Sequence, residues 1–376
     1  QMSKLDELIA ELCPDGVEFV TVEEICDITR GRVMSKNYLR ENTGVYPVYS
    51  SQTANNGVFG YINTFDYDCE SVTWTTDGAN AGSVFYHINE KFSITNVCGL
   101  LRVKNNELVS TKFLFYVLQV YAKKYVNDGM GNPKLMSNVM ATISVPLPPL
   151  AVQQEIVRIL DNFTELTAEL TAELTARRKQ YEYYRDLLLT FGDEVPRVAI
   201  DDLFNIRNGY TPLKSNKEYW ENGVIPWFRM EDIRENGRIL SNALQYVSIN
   251  AVKGRPFPAN SIIISTSATI GEHALIQTEF LANQRFTILS LKNEYQDVNI
   301  KYLFYYCYIL GEWCKNNLTL GHFASVDMVA FKKFRIPLPP LKEQERIVAI
   351  LDRFDALCND LTSGIPAEIE ARQKQY

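Results

Sequence analysis

The sequence predicts an α/β (α+β) protein with two similar lobes, each built on a curved mixed sheet. Two long antiparallel, coiled-coil-like helices separate the lobes, giving an internal pseudo-two-fold symmetry. Three observations predict this. The segment Val145-Pro146-Leu147-Pro148-Pro149-Leu150 returns 191 residues later as Ile336-Pro337-Leu338-Pro339-Pro340-Leu341, and repetition at long period marks a duplicated unit. Short β-branched and aromatic runs alternate with Gly and Asn turns before each copy, as in a sheet of short strands. After each copy, apolar residues recur every three or four positions, the period of a helix with one buried stripe.

In chain order, residues 1–145 form the first lobe. Strands are expected at residues 45–51, 57–62, 71–76, 83–87 and 98–103, with a packed helix over 111–125. Pro146 to Pro149 must lie outside any helix, because proline lacks the amide donor and clashes with the preceding turn. Residues 146–192 then carry the first spacer helix, with Ile156, Phe163, Leu166, Leu170 and Leu174 along its seam. The second lobe, 193–335, repeats the scheme with a helix near 299–315. Residues 336–376 carry the second helix, with Ile347, Phe354, Leu357 and Leu361. Apolar seams of this length are expected to pack on each other. The first helix holds Thr-Ala-Glu-Leu twice, at 167–170 and 171–174, whereas the second has Gly364 and Pro366 in the matching stretch and should break there.

The repeat extends into the lobes. Asp27-Ile28-Thr29-Arg30-Gly31 parallels Asn205-Ile206-Arg207-Asn208-Gly209, Tyr46-Pro47-Val48-Tyr49 parallels Ile225-Pro226-Trp227-Phe228, and Lys112-Phe113-Leu114-Phe115-Tyr116 parallels Lys301-Tyr302-Leu303-Phe304-Tyr305. Asn96 is read as the counterpart of Asn283, each a structural cap rather than a reader. Trp74, Trp220 and Trp227 read as core.

Composition narrows the function. At 376 residues there is room for two or three cores. No apolar run approaches the ~20 residues that span a bilayer, and nothing at the start reads as a secretion signal, Gln1 simply preceding the expected initiator Met2. Seven cysteines without a Cys-x-x-Cys pair favour reduced thiols and a cytoplasmic setting. Three scattered histidines offer no metal site. The net charge is −7, so the chain as a whole should attract polyanions weakly. Residues 146–196 hold 5 Lys+Arg against 9 Asp+Glu, while 197–335 hold 16 against 13. Neither a Gly-x-Gly-x-x-Gly nor a phosphate-loop motif occurs, and the Pro-Pro pairs are flanked by leucines rather than by the residues of an adenine-methyltransferase loop.

Pro-Leu-Pro-Pro-Leu, followed by Gln-x-x-Ile-Val-x-Ile-Leu-Asp-x-Phe and Arg-x-Lys-Gln-Tyr, resembles the helical regions of the specificity subunits of type I restriction–modification systems. The first copy is Pro146 to Tyr181 and the second Pro337 to Tyr376. Asn208-Gly209-Tyr210-Thr211-Pro212, Tyr219-Trp220 and Ile225-Pro226-Trp227 similarly look like that family's target-recognition domain. The first copy runs on through residues 182–188, whereas the second stops at Tyr376. The resemblance implies double-stranded DNA as ligand, with each lobe reading half of a bipartite target. It also implies two modification (methyltransferase) subunits docked on the helices, and restriction/translocase subunits joining them. S-adenosylmethionine would sit on the partner methyltransferases, and this chain would hold no cofactor and catalyse nothing.

Base readout uses Arg or Lys for guanine and Asn or Gln for adenine. In the first lobe the candidates are Arg30, Arg32, Lys36 and Asn37; Ser51, Gln52, Thr53, Asn55 and Asn56; Thr76, Asp77 and Asn80; and Lys134. In the second they are Arg207, Asn208, Tyr210, Thr211, Lys214 and Arg229; Thr266, Ser267 and Thr269; and His322 with Ser325. Such residues also build ordinary turns. Arg177, Arg178, Lys179 and Arg185 could touch phosphate or partner, or simply be solvated. Two other readings stand beside this one: a self-contained DNA methyltransferase or nuclease with unrecognised motifs, and a coiled-coil scaffold that never touches DNA.

Overall fold

The computed structural model describes residues 3–319, 324–359 and 364–375. It divides into two compact units, residues 1–165 and 166–376.

The first unit opens with helix α1 (Lys4–Leu12), whose Ser3 cap and Asp6 satisfy each other's amides in a capping box. Its main sheet runs Cys26–Arg30, Cys98–Val103, Ser71–Thr75, Val84–His87, every neighbour antiparallel. A second sheet joins Val58–Ile62, Thr43–Tyr49, Lys91–Ile94 and Tyr67–Asp68, with Thr43–Tyr49 parallel to Lys91–Ile94. Helix α2 (Thr111–Tyr121), capped by Ser110, packs on the main sheet. It ends four residues before the expected limit, because residues 122–125 tighten into a 3-10 turn. Trp74 is fully buried and its indole N–H donates to Leu135 O at 2.9 Å, which satisfies the one polar atom such a ring brings into a core.

The second unit repeats this plan. Its main sheet runs Phe204–Asn208, Phe286–Leu291, Ser261–Ser265, His273–Ile276, with Ile239–Leu240 added as a parallel edge. The second sheet pairs Ile225–Phe228 with Tyr246–Val247 and, in parallel, with Leu281–Ala282. Helix α4 (Ile300–Asn316), capped by Asn299, occupies the place of α2. Even the short ribbons closing each unit match: Phe19–Thr21 with Ser144–Pro146, and Arg197–Ala199 with Arg335–Pro337.

Helix α3 (Leu150–Leu188) is 39 residues long. Its first turns pack on unit 1 through buried Val152 and Gln153. Its last turns belong to unit 2, where Tyr181 and, just past the helix end, Leu189 enter the core. There it meets α5 (Leu341–Asn359). Tyr184 stacks on Phe354 with ring centroids 5.8 Å apart, Tyr181 lies 6.2 Å from the same ring, and Arg178 reaches Cys358 O at 3.5 Å. Residue numbers rise on one helix as they fall on the other, so this pairing is antiparallel, as the seams predict. The chain resumes as α6 (Ile365–Gln375) after the break that Gly364 and Pro366 foretell.

The seams are not covered throughout. Ile347 is fully buried, and Ile156, Phe163, Leu170, Leu174 and Phe354 are partly so, but Leu166 is 40% exposed and Leu357 38%. The expectation of a continuously buried stripe is corrected accordingly: around the Thr-Ala-Glu-Leu repeats the helix is mostly polar, and its threonines turn inward on its own backbone, Thr171 donating to Thr167 O at 2.8 Å and Thr175 to Thr171 O at 2.9 Å. Leu361 lies outside the described residues.

Candidate nucleic-acid interface

In each unit three loops are tied to one end of the main sheet by the same backbone bonds. Gly31 N donates to Cys98 O (3.3 Å) and Gly209 N to Phe286 O (2.9 Å). Thr76 N donates to Val97 O and Thr266 N to Arg285 O, both at 3.1 Å. Leu135 N donates to Thr76 O (2.9 Å) and Val326 N to Thr266 O (3.0 Å). Bridges then join Asp77 to Lys134 and Ser267 to Ser325, so Asp77 and Ser267, and Lys134 and Ser325, are structural equivalents. Glycine is required at 31 and 209: a Cβ there would strike the carbonyls of Ile94 and Thr95 in one unit and of Ala282 and Asn283 in the other.

The same bonds correct one match. Thr95 N donates to Tyr49 O (2.9 Å) and Asn283 N to Phe228 O (3.0 Å), so Asn283 is the counterpart of Thr95, and Asn96 that of Gln284. The register is set by which amide enters the ladder, and the similarity of two asparagines hides a one-residue slip. Asn283 is nonetheless structural, its Oδ1 accepting from Arg285 N at 3.0 Å.

On this shared frame the side chains differ. Unit 1 gathers Arg30, Thr76, Asp77 and Lys134. Arg30 donates to Thr76 Oγ1 at 3.1 Å and to Asn96 O, and lies 3.9 Å from Asp77, whose other oxygen is 3.8 Å from Lys134. Thr76 is fully buried, with its hydroxyl engaged by Arg30 and Asp77. It positions Arg30, and the expectation that it faces DNA itself is corrected. At the equivalent place unit 2 is neutral: Thr266 and Thr287 hydroxyls lie 3.0 Å apart, and Thr287 donates to Asn208 Oδ1 at 3.3 Å. Ser267 and Thr269 are half-buried beside them.

Arg32, Lys36 and Asn37 form a separate group. Arg32 donates to Asp66 Oδ2 (3.0 Å) and to Tyr38 Oη (3.1 Å), and its guanidinium lies over the Tyr38 ring. The bond to the Tyr38 hydroxyl, then Asp66, pushes its pKa further up. Lys36 and Asn37 are exposed, Asn37 accepting from Arg40 at 3.1 Å. In the neighbouring turn the half-buried Gln52 donates from Nε2 to Val58 O, which turns one of its two amide donors inward. Ser51 is half-buried, Thr53, Asn55 and Asn56 are exposed, and both asparagines take left-handed backbone at φ 51°. Asn80 is exposed, its carbonyl accepting from Thr75.

In unit 2 Arg207 lies over the Phe257 ring at 4.6 Å. Tyr210 Oη donates to Ala251 O (3.2 Å) and accepts from Lys253 N (2.8 Å), which makes it a brace. Thr211 donates to Gln284. A cleft of about 740 Å³ brings Thr211, Lys214 and Arg229 together with Trp220, Trp227, Gln245, Gln284 and Arg285. Gln245 and Arg285 escaped sequence reasoning, because their placement depends on the strand register rather than on any motif. Trp74 and Trp227 are core as expected, whereas Trp220 is only half-buried. His322 lies outside the described residues. Arg177, Arg178 and Lys179 are exposed, while Arg185 stacks 4.5 Å over Tyr308. Among the described residues no group of three metal-ligating side chains occurs. All seven cysteines are free thiols, and six are buried; burial pushes Cys98 up to about 12.

A doubled α/β unit with paired loops, different side chains on one frame and helices after each copy defines a recognition protein. The family model for the type I restriction modification DNA specificity domain matches twice, over residues 14–177 and 193–371. The chain belongs to this family and is a type I DNA specificity subunit. A putative type I specificity subunit of Mycoplasma pneumoniae is 35% identical over 360 residues, covering 94% of this chain and 93% of that one. The EcoprrI specificity subunit of Escherichia coli is 58% identical over 194 residues, about half of each chain (49% and 48%). A solved structure described as the basis of complex assembly and conformational transition in a type I restriction–modification system has a TM-score of 0.59 at 16% identity, covering 96% of this chain and 94% of that one. At that identity the likeness concerns the fold. No helix among the described residues is long and apolar enough to cross a membrane.

Proposed function

We propose that each unit reads one half of a bipartite DNA target, that the helical segments set the spacing between halves, and that the same helices dock two methyltransferase subunits. On this reading the chain is a non-catalytic cytoplasmic component. The methyltransferases carry S-adenosylmethionine, and restriction/translocase subunits join the assembly. Residues 1–145 and 193–335 act as the target-recognition domains, and 146–192 and 336–376 as spacers.

One observation carries the reading. Identical backbone bonds hold Arg30, Asp77 and Lys134 in one unit and Asn208, Ser267 and Ser325 in the other. A structural role would favour similar side chains on a repeated frame; two readers of different half-sites require different ones. Phosphate contacts position a protein and base contacts specify. The exposed residues Lys36, Asn37, Thr53, Asn55, Asn56 and Asn80, with Arg32, Ser51 and Lys134, therefore serve the first half, and Arg207, Thr211, Lys214, Thr269 and Ser325 the second; His322 joins them on its residue type alone. Replacing residues 17–145 with a foreign lobe in the assembled methyltransferase should change one half of the methylated target and leave the other intact. An unchanged methylome, or methylation by the purified chain alone, would refute the reading.

A further inference from the structure

We propose that Arg229 is a specificity-determining residue of the second unit and that its guanidinium takes the paired acceptors N7 and O6 of a guanine. The proposal rests on the reading of each unit as a half-site reader. Its starting point is a side chain on a fixed backbone, set over an aromatic ring, with bonds unmade. The fully buried Asp232 accepts from Arg229 N and from Leu244 N, each at 2.6 Å, which fixes the backbone. The guanidinium then lies over the Trp227 ring, 5.6 Å from its centroid. That ring is fixed in turn: Trp227 is 4% exposed, its indole N–H donates to Tyr210 O at 3.1 Å, and Trp220 meets it edge-on at 5.0 Å.

Arg229 Nε is shut off from solvent and has no hydrogen-bond partner among the described residues. The facing carboxylate, Glu231 Oε2, stands 3.9 Å away, beyond hydrogen-bond reach. Nε itself is closed to a ligand, but the side chain is 32% exposed through its outer nitrogens, and an oriented guanidinium matches two coplanar acceptors. The side chain opens on the 740 Å³ cleft with Gln245, Gln284 and Arg285 on its rim.

The internal repeat serves as a control. Trp227 and Phe228 pair with Leu281 and Ala282 as Val48 and Tyr49 pair with Ser93 and Ile94, so the residue after them is Arg229 in one unit and Ser50 in the other. Ser50 Oγ accepts from Thr95 at 2.9 Å, and the frame closes without a cation. The fold does not require arginine here; the second unit's ligand does. Guanine offers the two acceptors in the major groove, and a backbone phosphate offers two oxygens of similar spacing. The aromatic wall and the amide rim favour the base.

The test uses the assembled methyltransferase with Arg229→Ala and Arg229→Lys, mapped on a random-sequence DNA library. Preference for G·C at one position of one half-site should fall roughly ten- to a hundredfold, with the other half unchanged. 7-Deazaguanine at that position should reproduce the loss with the natural chain and add nothing to the Arg229→Ala variant, while inosine, which keeps N7 and O6, should be tolerated. Arg229→Lys keeps length and charge but not the fork. It should retain binding yet lose discrimination, and it decides the matter if Arg229→Ala does not assemble. Uniform weakening across all sequences, with the salt slope reduced by about one, would assign a phosphate contact and overturn the proposal, as would an unchanged target. If replacing residues 193–335 alters neither half-site, the half-site reading itself fails, which is a distinguishable result.

Discussion

Tyr305 Oη donates to Asp352 Oδ1 at 2.6 Å, and Tyr116 repeats the bond to Asp161 at the same 2.6 Å. Each carboxylate also receives a lysine from the helix that carries the tyrosine: Lys301 at 2.7 Å and Lys112 at 2.8 Å. The bond therefore locks α4 to α5 in one unit and α2 to α3 in the other. Burial first, then the bond to Asp352, pushes the Tyr305 phenol well above its usual range.

Tyr305→Phe and Tyr116→Phe should each destabilise their own unit by about 1–2 kcal/mol, as expected for a hydrogen bond to a charged acceptor. The low end is anticipated, since Asp352 is 37% and Asp161 36% exposed and water can replace the donor. Urea unfolding checks this; unchanged midpoints for both variants would remove the lock from the account.

The buried glutamines close the helix starts. Gln153 accepts from Ser110 N at 2.9 Å and donates to Leu108 O and Pro148 O, both at 2.8 Å. Gln344 accepts from Asn299 N at 2.9 Å and donates to Pro339 O at 2.8 Å. Gln→Leu keeps the volume but strands a buried amide and at least one carbonyl. A loss of roughly 2–5 kcal/mol at either site follows, read as a drop in thermal midpoint. A change within about 0.5 kcal/mol would show that water satisfies those groups instead.

Under the proposed spacing role, deleting residues 171–174 removes about one helical turn, or ~6 Å of rise. The gap between half-sites should change while each half stays as it was. A methylation map in which a half-site itself changes would contradict the ruler.

His273 is fully buried, and burial first, then Arg238, lowers its pKa from 6.5 to about 3. Its Nδ1–H donates to Gly271 O at 3.1 Å, and Nε2 has no hydrogen-bond partner among the described residues. Below pH 6.5 the unfolded chain takes up a proton that the folded one refuses. The stabilising contribution is therefore present above pH 6.5 and lost progressively between pH 6.5 and about 3, at up to about 1.4 kcal/mol per pH unit. His273→Phe should flatten that part of the stability profile relative to the natural chain. Parallel profiles over that window would mean the imidazole titrates normally when folded.

Much of this was legible in the sequence because it depends on local pattern. The strands at 71–75 and 98–103, the helix after Asn299, the break before Pro366 and the antiparallel pairing of the two helices, seen where Tyr181 meets Phe354, follow from side-chain periodicity, proline geometry and the repeat. Turn composition also found the loops that hold Arg30, Asp77 and Lys134.

Tertiary structure alone decided which of those side chains face outward and which act as braces. Thr76 and Gln52 share their residue types with surface readers, yet one is sealed beneath Arg30 and the other turns a donor onto the carbonyl of Val58. The slip that makes Asn283 the counterpart of Thr95, and the meeting of Arg229 with Arg285, rest on ladder bonds between segments more than forty residues apart. Periodicity records the face a residue shares with its neighbours in sequence; the register between distant strands is fixed only when they pair, and that register determines which donors are left for a ligand.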